Sequence, residues 1–147
     1  MFASVITVVV SALAASAVAT DAVAPRETYG NWAGKEWSDA CADTGCTSKF
    51  TIGGAKGYYK DAPAFSVHCH PTKEATWSPC DVVGATTPGS VVESAWMKAS
   101  SDDMVKVSVS HAFNGADGPR YNATGTIEFK KGETSFNMPV DQVTAAL

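Results

Sequence analysis

The chain is sparing with charge, and the charge it has is dispersed. Charged residues make up 18% of 147, with eleven Lys and Arg against fifteen Asp and Glu for a net charge of −4. Lys130 and Lys131 are the one adjacent basic pair, in a segment read as a turn. A phosphate backbone is bound by clustered cations, so nucleic acid is not an expected partner. Long apolar runs are missing after residue 19, so no membrane partner is expected for the body of the chain. No Cys-x-x-Cys occurs, which disfavours redox catalysis. Neither a Gly-x-Ser-x-Gly elbow nor a Ser, His, Asp order of hydrolase type is present, so acyl transfer has no anchor. Internal repeats and dividing linkers are lacking too. The expectation is a single domain that is not an enzyme and needs no cofactor or metal.

What is present points outward from the cell. Residues 2–19 carry no charge, are rich in Ala and Val, and end in Ala17, Val18 and Ala19, a small-x-small cleavage pattern. Residues 1–19 therefore read as a secretory signal peptide. The run is short for a bilayer span and dominated by small residues, which argues against an anchor. Residues 20–28, with Pro25, read as a flexible leader, and 29–147 as one β domain. All four cysteines follow the signal, which suits an oxidising destination. Asn122, Ala123 and Thr124 form an N-glycosylation sequon. Signal, even cysteine count and sequon together predict a secreted, extracellular glycoprotein.

The clearest structural signal is a β-hairpin over 104–129. Val105, Val107, Val109 and Phe113 alternate with Lys106, Ser108 and Ser110, which puts the apolar side chains on one face of a strand. Asn114, Gly115, Asp117, Gly118 and Pro119 supply the turn. Alternation then resumes, with Tyr121, Ala123, Gly125, Ile127 and Phe129 on one face. Elsewhere, strands are expected at 48–52, with Phe50 and Ile52 inward, and at 64–69, with Phe65, Val67 and Cys69 together. Further strands are expected at 81–83, at 90–98 (where a short helix is the rival) and at 134–140. In that last strand Phe136, Met138 and Val140 share a face, and Pro139 suggests an edge position. A short strand is read within 29–37 and a loop at 39–45. Many short strands between Gly and Pro turns predict an all-β fold, a small antiparallel sandwich or barrel. A domain of this size gains from disulfides because its core alone stabilises it little.

Four cysteines allow three pairings. The local one, Cys41 with Cys46 and Cys69 with Cys80, is preferred, and the crossed ones stay open. Bridging Cys69 to Cys80 closes a loop worth roughly 2–3 kcal/mol of restricted unfolded chain. His68 and His70 share a strand face at a spacing many metal sites use, with His111 or Asp81 as a candidate third ligand. The plainer reading is favoured: two surface histidines beside a proline, and His111 a core-edge residue with one hydrogen bond. Trp32, Trp37, Tyr58, Tyr59 and Trp77 fall in segments read as loops or short strands. Aromatics there stack on sugars, fill a partner's pocket, or cover the open end of a β core. The covering role is favoured.

The segment Phe65, Ser66, Val67, His68, Cys69, followed by Ala75, Thr76, Trp77, Ser78, Pro79, Cys80, resembles the fungal secreted family of the Alternaria major allergen. That family has a strand ending in Cys, a polar loop, then Trp and a second Cys. The resemblance implies a compact β-barrel or sandwich, a Cys69–Cys80 bridge with Trp77 beside it, and no catalytic residues. Some members are elicitors of hypersensitive cell death in plants. The chain departs from the family in carrying its other cysteine pair near the amino end. The expected function is that of a secreted effector or elicitor that binds a host protein or cell-wall component and modulates defence. The alternatives are a carbohydrate or small-ligand binding protein, or a metal-dependent enzyme using His68 and His70.

Overall fold

A computed structural model describes residues 28–42, 45–72, 74–85 and 87–146. The expected signal at 1–19 and nearly all of the leader at 20–28 lie outside the described residues. Among the described residues nine strands make one antiparallel sheet: β1 (Gly30–Ala42), β2 (Gly45–Gly54), β3 (Phe65–Cys69), β4 (Ser78–Pro79), β5 (Asp81–Val82), β6 (Val91–Met97), β7 (Met104–Asn114), β8 (Arg120–Lys130) and β9 (Ser135–Ala146). Their order across the sheet is β4-β6-β7-β8-β9-β1-β2-β3-β5. The fold is all-β, a nearly closed antiparallel barrel.

The β7–β8 hairpin forms in the expected register. Val105 pairs with Phe129, Val107 with Ile127 and Phe113 with Tyr121. The valines at 105, 107 and 109 have no exposed surface, and Phe113, Tyr121 and Phe129 are nearly as deep. At about 25 cal/mol per Å² of apolar surface removed from water, this hairpin supplies a large share of the driving force for folding. Segment 91–97 is the strand β6 rather than a helix; Val92 faces inward while Val91 is exposed.

Three expectations need correction. The short strand read within 29–37 is the thirteen-residue β1, paired on both sides by β9 and β2. Its alternation is hidden by a bulge: Lys35 pairs with Thr51 and Ser38 with Lys49, so Glu36 and Trp37 together oppose Phe50. Glu36 takes a left-handed conformation, φ 59°, and the extra residue resets which side chains face inward. That is how Trp32 and Trp37, five apart, are both buried. The loop read at 39–45 is largely strand, with Cys41 opposite Cys46; residues 43 and 44 lie outside the described residues.

Pro139 is not at an edge, because β9 lies between β8 and β1. The Val140 carbonyl accepts the Tyr29 N–H on the β1 side, so Pro139, one residue along, turns its nitrogen toward β8. There the ladder has just ended, at Gly125 opposite Val140, and no rung is lost.

The barrel core has two unlike ends. At one, Trp37 stacks on Phe50 and meets Phe129 edge-on, each with centroids 5.2 Å apart, while Phe129 stacks on Phe136 at 4.9 Å. Gly34 has no side chain because a Cβ there would collide with the Phe136 ring. At the other end Tyr58, His111, Phe113 and Tyr121 pack together, and all but Phe113 carry polar side-chain atoms.

Candidate functional site

The barrel closes imperfectly between β3 and β6. Residues 78–82 cross that gap: β4 pairs with β6, and β5, two residues later, pairs with β3. Both pairings are antiparallel, so β3 and β6 run parallel to each other across the seam. Cys80 lies at the crossing. Its N–H donates to Val92 O (2.9 Å), and its sulfur is bridged to the buried Cys69. The Cys41–Cys46 bridge, on an exposed cross-strand pair, is also formed.

One end of the seam is sealed. Ala75 N–H donates to Trp96 O (2.7 Å), the Trp96 indole N–H donates to Ser48 Oγ, and Ser48 N–H donates to Pro71 O (3.4 Å). The other end opens into a cavity of about 220 Å³. Phe65 and Val67 of β3, Val82 of β5, and Ser90, Val91 and Val92 at the start of β6 line it. The lining is apolar apart from backbone and a few hydroxyls.

Ser90 connects this cavity to the core. Its hydroxyl lies 2.7 Å from His111 Nε2, and His111 Nδ1 lies 2.9 Å from the Tyr58 hydroxyl. His111 is wholly buried, its ring 4.5 Å from that of Phe65. Burial lowers its pKa from the ordinary 6.5 to about 4, and burial pushes the Tyr58 phenol up. Tyr58 is presented by the loop after β2, where Gly57, at φ 75°, donates to Ala62 O and Ala62 donates to Tyr59 O. Lys60 ties that loop down by donating to the Tyr121 hydroxyl (2.6 Å), which donates to Asp117 (3.1 Å).

A serine, a histidine and a third polar group invite comparison with a nucleophilic triad. The electrostatics disfavour it. A base with a pKa near 4 draws little on a serine proton at neutral pH, and the partner on Nδ1 is a phenol, which stabilises imidazolium poorly beside a carboxylate. The arrangement orients a hydroxyl rather than activating it.

Of the residues singled out in the sequence, Tyr58 meets His111 and packs edge-on against Trp32, while the three histidines are not brought together. His68 faces outward, opposite Asp81, and His111 faces inward, so the sheet separates His111 from the pair His68 and His70. His111 as third ligand is therefore excluded. Among the described residues, no group of three or more His, Cys, Asp or Glu is placed to hold a metal ion. His68 Nδ1 instead lies 2.9 Å from Thr51 Oγ1, which donates to Glu36 (2.8 Å). Trp32 and Trp37 are core residues, Tyr58 and Tyr59 partly cover one barrel end, and Trp77 is exposed. The five aromatics make no common surface. Asn122 is exposed on β8, between Ala112 and Thr144.

Sequence reasoning missed Ser90, and it read Tyr58 as a covering aromatic without linking it to His111. They stand 21 and 53 residues from His111, with no spacing that marks them. The one signal was a histidine in the apolar register of β7: a buried imidazole needs partners for both nitrogens. No protein-family model, curated protein or solved structure matches the chain.

Proposed function

We propose that the protein is a secreted binding protein and that the open end of the seam takes a small, mostly apolar ligand. The observation that carries this reading is the cavity itself, walled by Phe65, Val67, Val82, Val91 and Val92. A dry cavity of about 150 Å³ accommodates benzene, so about 220 Å³ suits a somewhat larger ring compound. Two disulfides are compatible with an extracellular site of action, and among the described residues no helix is long and apolar enough to cross a membrane. Calorimetric titration with ethylbenzene tests the reading. Saturable binding at one site is expected, weakened at least tenfold by Val91→Glu, a change at an exposed rim position that the fold tolerates. Absence of saturable binding up to the solubility limit contradicts it.

A second reading is that of a host-directed effector or elicitor, in line with the resemblance stated above. The observation favouring it is the exposure of Val82, Val83 and Val91, at 47%, 43% and 44%, beside the cavity mouth. Infiltration of the purified protein into leaves tests it: a defence response lost in a Val82→Glu, Val91→Glu variant supports this reading, and no response at micromolar dose removes it.

A further inference from the structure

Ser90, a residue of the seam cavity's wall, has its hydroxyl hydrogen-bonded to the buried His111. We infer that the cavity is built for an apolar molecule bearing a hydrogen-bond-accepting oxygen, such as an aryl ketone, aldehyde or ester, which Ser90 binds by donating its hydroxyl proton. This rests on the binding reading above and goes further by naming the chemistry of the ligand.

Neutral imidazole has one N–H and one lone pair, so the chain Tyr58–His111–Ser90 has two possible polarities. In one, Ser90 donates to Nε2 and Nδ1–H donates to the Tyr58 oxygen. The phenol proton then needs another acceptor, and among the described residues the Tyr58 hydroxyl bonds His111 alone. Tyr58 and Ser90 are both half-buried, and the phenol, the more acidic hydroxyl of the two, is the better donor to the imidazole lone pair. In the other polarity Tyr58 donates to Nδ1, and Nε2–H donates to Ser90 Oγ. His111 is then satisfied at both nitrogens. The one proton left over belongs to Ser90, whose residue lines the cavity.

The surroundings agree. The rings facing His111 are Tyr58, Phe65 and Phe113, none of them charged at neutral pH, so the imidazole stays neutral and keeps a single N–H. The Ser66 carbonyl, also in the cavity wall, is already taken by Val83 N–H (2.9 Å). The Ser90 backbone N–H is taken by Thr87 O (3.0 Å), which holds the side chain in place. Phe65, Val67, Pro79, Val82, Val91 and Val92 make most of the remaining wall; the hydroxyl residues Ser66 and Thr87 are also in it, and of the three hydroxyls that of Ser90 is the one anchored by the imidazole. A single fixed donor in such a wall discriminates by what it leaves unpaired: an acceptor oxygen fits, and a hydrocarbon of the same shape strands the hydroxyl.

The test compares acetophenone with ethylbenzene, which match in shape and differ in the carbonyl oxygen, by titration against the parent protein and Ser90→Ala. Acetophenone is expected to bind about five- to tenfold more tightly to the parent, the range of one net hydrogen bond. The preference should vanish in Ser90→Ala, with ethylbenzene binding no more weakly than to the parent because no hydroxyl is left to strand. Independently, nitrogen chemical shifts of His111 in the parent should show Nε2 protonated and Nδ1 bare. Equal affinity for both compounds, or a proton on Nδ1, overturns the inference while leaving the binding reading intact. Binding of neither compound overturns both.

Discussion

The two ends of the barrel are built from similar numbers of rings and behave as different materials. Around Trp37, Phe50, Phe129 and Phe136 the rings are packed against one another, and Gly34 is kept bare to admit Phe136. Around Tyr58, His111 and Tyr121 the rings carry hydroxyls and nitrogens tied into two separate networks, one reaching Ser90 and the other Lys60 and Asp117. The seam follows the same division: sealed by Trp96 and Ser48 at one end, open beside Phe65 and Val92 at the other. The aromatic plug stabilises by ring packing, with the Trp37 indole N–H donating to Asp39 (3.3 Å). The polar aromatic end carries hydrogen-bonded hydroxyls and a buried histidine.

The sharpest way to break this contrast is to remove a ring from the plug. Phe129→Ala should cost about 3–5 kcal/mol, read as a lowered denaturant midpoint, because the dense ring stack leaves no neighbour free to fill the gap. The loss should be the same at pH 5 and pH 7.5, since the rings it touches do not titrate in that range. A small effect would mean the plug is loosely packed and the contrast overstated.

The second prediction concerns pH. His111 has a folded pKa of about 4 against an ordinary 6.5, so between those values the unfolded chain binds the extra proton and the folded protein does not. Its neutral state therefore stabilises fully above about pH 6.5, and that contribution is lost as pH falls toward 4, by roughly 3 kcal/mol at most. The groups around it, Tyr58, Ser90, Phe65 and Phe113, do not titrate there, and His68 lies on the outer face. His111→Phe should flatten the pH dependence of unfolding between pH 4 and 6.5. An unchanged slope would show that the polar end is not its source.

The smallest expected effect separates the two bridges. Cys69–Cys80 spans eleven residues and Cys41–Cys46 five, a difference of about one doubling and about 0.6 kcal/mol of loop entropy. Position adds to it, since Cys69 is buried and fastens the crossing segment over the seam, whereas Cys41 is exposed. The Cys69→Ala, Cys80→Ala variant should melt below Cys41→Ala, Cys46→Ala. The reverse order would mean that residues 78–82 hold the seam through backbone pairing alone.

The sequence carried the hairpin because a period of two survives wherever a strand runs unbroken, as from Val105 to Phe113 and from Tyr121 to Phe129. It hid β1 because the bulge at Glu36 shifts the alternation, so Trp32 and Trp37 could not both be placed inside by counting. Pro139 misled for a related reason: a proline marks a missing hydrogen bond, and the end of a ladder inside a sheet supplies one as well as an edge does. The local cysteine pairing was preferred in the sequence but the crossed ones stayed open, because what decides it is that β1 and β2 set Cys41 opposite Cys46. The relay was not legible, because Tyr58, Ser90 and His111 meet only once the barrel has closed, and hydroxyls are common enough that none stands out along the chain.

The central claim is that the open end of the seam receives the ligand and the plugged end does not. Mapping backbone amide shifts during titration with ethylbenzene tests this most directly. The account predicts saturable shifts centred on residues 65–67, 82 and 90–92, with none at Trp37, Phe129 or Phe136. Shifts centred on the plug, or scattered over the outer face without saturation, would contradict it.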